Sequence, residues 1–246
     1  PAFPNSPSAS TSSQTTTNPS GNRMDTYIVN KAAPDMIPSI DEGWDAEAWK
    51  AANTVKIQWH WHECKGPFPE VEAKLLHDGR TIYGIFQVKD HSVLGRAKAF
   101  NDQVCFDSCV EFFFRPLADK GYLNLEMSAG GAFLCYFVRD CTRTSNGFAD
   151  FDKLPPQIGE KIVTLGTTGL VPQERQGDNT WQMRFQIPPA VTEHFLGDLG
   201  DLSGQQWTGN FYKCGDKLAN PHWMAWQPVP VLNFHLPDSF GKIRFA

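Results

Sequence analysis

SCVEFFFRPLADKGYLNLEMS occupies residues 108–128, and its reading decides the fold. Successive side chains on a strand point to opposite faces. In 108–116 this puts Val110, Phe112 and Phe114 on one face, and Glu111, Phe113 and Arg115 on the other. Pro116 ends the strand, because proline cannot donate to a ladder. In 121–128, Leu123, Leu125 and Met127 share an apolar face, and Tyr122, Asn124, Glu126 and Ser128 a polar one. Each segment is a short strand with one face fit for a core.

The same pattern recurs outward along the chain. VKIQWHW (55–61) alternates, with Val55, Ile57, Trp59 and Trp61 on one side. AKLLHDGRTIYGIFQVKD (73–90) reads as two strands around a turn, where Asp-Gly is a strong hairpin signal. GYLNLEMSAGGAFLCYFVRD (121–140) is a second hairpin, turning at Ala-Gly-Gly. TWQMRFQIPP (180–189) and QWTGNFYKCGD (206–216) alternate, and FGKIRFA (240–246) closes the chain. Short helices are expected at 45–52 and 188–196. Short strands punctuated by turns predict an all-β, antiparallel sandwich of two sheets with short peripheral helices.

The 246 residues fit one large domain, and 41% hydrophobic content supports a real core. A net charge of −5 argues against nucleic acid or an anionic membrane surface as partner. No stretch reaches the ~18 apolar residues of a membrane span. Residues 1–24 are almost wholly Pro, Ser, Thr, Asn and Gly, and read as a disordered tether ahead of a domain at 25–246. The chain begins without Met, and with the tether this suggests a processed, secreted or surface-anchored protein. The expected state is a monomer. In such a setting some of the six cysteines, Cys64, Cys105, Cys109, Cys135, Cys141 and Cys214, should pair. Cys135 with Cys141 is one candidate, and Cys105 and Cys109 flank a turn; buried free thiols are the alternative. No CxxC pair is present, so a zinc ribbon is not expected.

If the strands at 108–116 and 121–128 pair, Glu111 and Glu126 lie on one face near Arg115, Asn124 and Tyr122. Sugar hydroxyls are bound by charged and planar hydrogen-bonding groups, and sugar ring faces stack on aromatics. A solvated face with an ordinary Glu–Arg pair is the plainer reading. Two glutamates on adjacent strands also meet the ~5–10 Å carboxylate spacing of a glycosidase. Asp90, Asn101, Asp102 and Asp107 offer hard oxygen ligands that suit Ca²⁺, although turn capping explains the same residue types. His60 and His62 project to one strand face, which would allow a shared metal. Aromatics and histidines crowd PHWMAWQP (221–228) and NFHLPDSFG (233–241), where Trp223, Phe234 and His235 are candidate ligand contacts.

Five segments in order resemble the family 9 carbohydrate-binding modules and their relatives within the DOMON-like group. They are YIVNKAAPDMIPSIDEGWDAEAWKAA (27–52), DSCVEFFFRP (107–116), YLNLEM (122–127), NFYKCGDKLANPHWMAWQPV (210–229) and NFHLPDSFGKIRF (233–245). The resemblance implies a β-sandwich, often with structural calcium, in secreted bacterial proteins of polysaccharide breakdown. It implies that Glu111 hydrogen-bonds a sugar hydroxyl, assisted by Asn124 and Glu126. It also implies a clamp of two tryptophans, and here the sequence departs. Cys105 stands at one clamp position, and Asn233, Phe234 and His235 lie near the other. Phe100, Phe106, Trp223 and Trp226 are the aromatics that would rebuild a platform. The expected function is a non-catalytic glycan binder for plant-type saccharides. A glycosidase using Glu111 and Glu126, a DOMON-type haem or metal carrier, and an interaction domain with a decayed sugar site are the alternatives.

Overall fold

The computed structural model describes residues 26–246. The tether expected at 1–24 therefore lies outside the described residues. Fourteen strands form in chain order. They are β1 (Thr26–Lys31), β2 (Thr54–Lys56), β3 (Trp59–His60), β4 (Glu70–His77), β5 (Ile82–Gly95), β6 (Cys109–Arg115) and β7 (Tyr122–Ser128). β8 (Phe133–Thr144), β9 (Gly147–Lys153), β10 (Val163–Gly166), β11 (Val171–Ile187), β12 (Gln206–Cys214), β13 (Trp223–Ala225) and β14 (Gly241–Phe245) follow. Two short helices, α1 (Pro156–Gly159) and α2 (Pro189–Leu196), sit at the periphery, each with a proline within its first turn. The expected helix at 45–52 is a 3-10 turn at Glu47–Ala51. No helix among the described residues is long and apolar enough to cross a membrane.

The strands run β10-β11-β5-β4-β1-β14-β12-β6-β7-β8-β9. β1 joins the two halves of this path. Its start pairs in parallel with β14, and its last two residues pair in parallel with β4. The other ladders are antiparallel, as expected, so β1 alone departs from the pattern. The halves pack face to face over an apolar core. Phe86 of β5 meets Phe211 of β12 at 6.1 Å, and Phe112 of β6 meets Phe185 of β11 at 6.4 Å. Val110, Phe112, Phe114, Leu123, Leu125 and Met127 all face this interior, as their alternation predicts. Each such side chain removed from water contributes roughly 1.5–3 kcal/mol.

The opposite face of β6, β7 and β12 is not left to solvent. The segments after β13 fold over it and build a second cluster around Phe113, Tyr122, Tyr212, Phe234 and Phe240. The tyrosine and phenylalanine rings of 212 and 234 stack at 4.2 Å. Phe240 closes edge-on against Tyr122 at 5.4 Å. This lid is incomplete, and the gap in it is the hollow described below.

The strand expected at 55–61 is broken. β2 pairs with β4 in one half, and β3 pairs with β13 in the other. The chain changes sheets between them, so Val55 and Ile57 enter the inner core while Trp61 enters the outer cluster. All six cysteines are free. Cys135 faces the inner core and Cys141 packs beside the outer cluster, so the bridge anticipated between them is not formed. The Cys109 thiol turns toward Glu111 rather than toward Cys105.

Candidate glycan-binding site

The register of the central strands places the floor. Glu111 lies directly opposite Glu126 on β7 and Tyr212 on β12. Asn124 lies opposite Phe113 and Tyr136. Directly opposed side chains have Cβ atoms ~4.5–5.5 Å apart. The carboxylates of β6 and β7 therefore share one patch, as anticipated from alternation. Asn124 Nδ2 donates to Glu126 Oε1 at 2.8 Å, and its Oδ1 accepts from the Tyr136 backbone N–H at 2.8 Å. This bracing fixes both the amide and the acid.

The patch lies under a hollow of about 260 Å³. Glu111, Asn124 and Glu126 line it together with Trp223, Phe234 and His235, so six of the seven expected ligand contacts converge. Its size is close to the ~300 Å³ lower end of small-molecule sites. The seventh, Arg115, does not belong. It sits at the far end of β6, where its Nε donates to Thr208 Oγ1 and its side chain borders a separate hollow beside Pro237. Its face was read correctly, but it lies four residues, or roughly 13 Å, along the strand from Glu111.

Arg143 supplies the guanidinium instead. It reaches the hollow from β8, stacking on Phe148 at 4.2 Å. Phe148, Phe151 and Lys153 arrive on β9, with Lys153 above the Tyr136 ring. Asp216 enters from the loop after β12, and its Oδ1 accepts the Trp223 indole N–H at 2.8 Å. Sequence reading missed Arg143, Phe148, Phe151 and Lys153 because the strand expected within 121–140 ends at Asp140. The Asn146-Gly147 pair, a strong hairpin signal, was the clue that would have exposed them.

Of the four aromatics offered to rebuild a platform, only Trp223 lines the hollow. Trp226 packs edge-on against Tyr27 and Phe211. Phe100 packs against Phe133 at another site. Cys105 and Phe234, the residues expected at or near the clamp positions, both line the hollow.

The electrostatics follow from burial. Glu111 is 2% exposed, and burial, then the facing Glu126, push its carboxyl well above the usual range. Burial raises Glu126 to about 7, against the opposing hydrogen bond from Asn124. Asp216 is raised by burial too. His235 accepts or donates at Nδ1 with the Tyr122 hydroxyl at 2.8 Å, and burial keeps its ring neutral, with Arg143 adding to the effect. Buried polar groups held this way cost stability unless a partner satisfies them.

The carboxylates of Asp90, Asp102 and Asp107 do not gather into one cluster among the described residues. Asp102 Oδ2 accepts the backbone N–H groups of Lys98 and Ala99. Asp107 Oδ2 accepts those of Arg96 and Ala97 and the Ser128 hydroxyl. Asp90 pairs with Lys213 at 3.5 Å in a different part of the fold. Turn and strand capping account for the first two, and an ion pair for the third. His60 stacks on Phe68 at 3.9 Å while His62 stands beside Glu63, so these two histidines do not converge on a metal.

A two-sheet sandwich whose outer face carries acids and an amide beneath aromatic walls is the general form of a carbohydrate-binding module. The chain belongs to carbohydrate-binding family 9, whose family model matches residues 41–245. Among solved structures, a "putative carbohydrate-binding protein" from Bacteroides uniformis ATCC 8492 is similar, with 29% identity and a TM-score of 0.75. The match covers 90% of this chain and 99% of that one. Two structures of a family 9 module from Caldicellulosiruptor kristjanssonii share the fold. The complex with glucose has 15% identity and a TM-score of 0.58, over 90% of this chain and 96% of that one. The complex with cellotriose has 16% identity and a TM-score of 0.55, over 90% and 93%. No curated protein matches the chain.

Proposed function

We propose that the hollow over β6, β7 and β12 binds the end of a plant-type saccharide, and that the chain is a non-catalytic module of extracellular or cell-surface polysaccharide use. The observation that carries this is the convergence of Glu111, Asn124 and Glu126 with Trp223, Phe234 and Phe148 on one small hollow. A pyranose ring would lay its C–H face on an aromatic wall, and its hydroxyls would reach the carboxyl groups and Arg143. The volume suits one or two sugar rings rather than a long chain. The C. kristjanssonii module was solved with glucose and with cellotriose, which guides the choice of ligands.

Isothermal titration with glucose, cello-oligosaccharides and xylo-oligosaccharides tests the reading, with and without calcium chelation. Wild type should release heat with at least one ligand, and Glu111→Ala should lose at least tenfold in affinity. No heat with any of these ligands sinks the reading. Loss of binding on chelation that added calcium, and not zinc, restores would mark a structural calcium. One observation favours a second reading: Glu111 and Glu126 face each other and burial raises the pKa of both, as it does for the general acid of a glycosidase. Release of reducing sugar that Glu126→Gln abolishes would establish it.

A further inference from the structure

The floor of the hollow holds more than acids. Cys109 on β6 and Cys214 on β12 are register partners, and Glu111 follows Cys109 by two residues on the same face. Their ligand atoms lie within 4.8 Å of one another. Cys214 Sγ stands 3.2 Å from Glu111 Oε1, and Cys109 Sγ stands 3.9 Å from it. All three side chains are at most 2% exposed. Glu111 Oε2 is buried with no hydrogen-bond partner among the described residues. Three donors of this kind, converging on one point with one oxygen unsatisfied, have the composition of a metal site.

We propose that Cys109, Cys214 and Glu111 form a three-ligand site for a thiophilic divalent cation, of which zinc is the type, with its fourth position open to the hollow. Two sulfurs and one oxygen select zinc-like ions over calcium or magnesium, which want oxygen alone. Tetrahedral zinc with bonds of about 2.0–2.3 Å sets its ligands roughly 3.3–3.8 Å apart. The present spacings reach that geometry by small side-chain adjustments. Neighbouring strands of one sheet position all three ligands, which keeps the site rigid. Cys214 and Glu111 line the hollow, so an ion has a way in and water has a place at the fourth position. Binding releases the protons of both thiols and of the Glu111 carboxyl to solvent, leaving the site with one net negative charge. Arg143 lies on the wall of the same hollow. This site does not depend on glycan binding. With the cation in place, a hydroxyl entering the hollow would meet the metal rather than Glu111.

The test uses the full chain, reduced and stripped with chelator, then dialysed against zinc and, separately, cobalt. Wild type should retain one equivalent of zinc by elemental analysis. Its cobalt form should show thiolate-to-metal charge-transfer absorption and the strong visible bands of a tetrahedral ion. Cys109→Ser and Cys214→Ser should each retain less than a tenth of an equivalent. Glu111→Gln should bind at least tenfold more weakly while keeping the charge-transfer band. Should a serine variant fail to fold, the wild-type cobalt spectrum decides alone. Absence of thiolate absorption overturns the proposal, as does undiminished zinc in folded serine variants. A chain that closes a Cys109–Cys214 disulfide in the presence of zinc overturns it too.

Discussion

Trp223 shows how a single side chain is made ready for a ligand. Its indole N–H donates to Asp216 at 2.8 Å, which fixes the ring plane beside the hollow. Phe234, which also lines the hollow, is held by stacking between Tyr212 and Trp61. A ring held in place loses little entropy when a sugar stacks on it. Trp223→Ala should weaken glycan affinity by about 1 kcal/mol, roughly fivefold, as read by isothermal titration. Arg115→Ala, away from the hollow, should leave the affinity unchanged. An effect of similar size from both would mean that the hollow is not the site. Glu111, Asn124 and Glu126 were legible because period-two alternation places them without any knowledge of the fold. Arg115 misled for the same reason: alternation assigns a face, but it does not say how far along the strand the site extends.

At the scale of the element, the β8–β9 hairpin carries the wall that sequence reading missed. Arg143, Phe148, Phe151 and Lys153 all ride on it. Its ladder shifts register between Val138 and Asp140 and again between Asp140 and Arg143. Those irregularities break the alternation on which strand recognition relies, which is why the pattern faded at Asp140. The turn depends on Gly147, whose φ of +117° is strained for any residue with a side chain. A Cβ there would also meet the Phe151 ring at 3.2 Å. Gly147→Ala should therefore cost about 1–3 kcal/mol and lower Tm in a thermal melt. It should weaken glycan binding severalfold while leaving the inner core intact. If Tm falls and affinity holds, the hairpin braces the fold but does not wall the site. β2 and β3 make the complementary point. Their residues alternate as one strand, yet tertiary pairing divides them between sheets, and no local signal records which partner wins.

For the molecule as a whole, the question is what ties one sheet to the other beyond the apolar core. Little in the sequence announces β1, whose parallel pairing with both β14 and β4 joins the halves along one edge. A buried polar cluster joins them at another place. Lys213 of β12 donates to His222 Nε2 at 2.8 Å and pairs with Asp90 of β5 at 3.5 Å. Lys213 and Asp90 come from opposite sheets, and His222 comes from the loop before β13. Burial, with help from Lys213, holds His222 down to about 3, so the ring is neutral and accepts from the ammonium. In the unfolded chain a histidine titrates near ~6.5. The folded value is the lower one, so protons favour the unfolded chain. The contribution is whole above about pH 6.5 and is lost as pH falls toward 3, at up to about 1.4 kcal/mol per unit. His222→Gln removes the titrating ring while keeping an acceptor for Lys213. The variant should be less stable than wild type at pH 7.5. Between pH 6.5 and 4.5 it should lose about 2 kcal/mol less than wild type does, measured by urea midpoints at each pH. Parallel losses in the two proteins would show that the ring titrates in the folded protein as it does in the unfolded chain, and would overturn the neutral, acceptor role of His222.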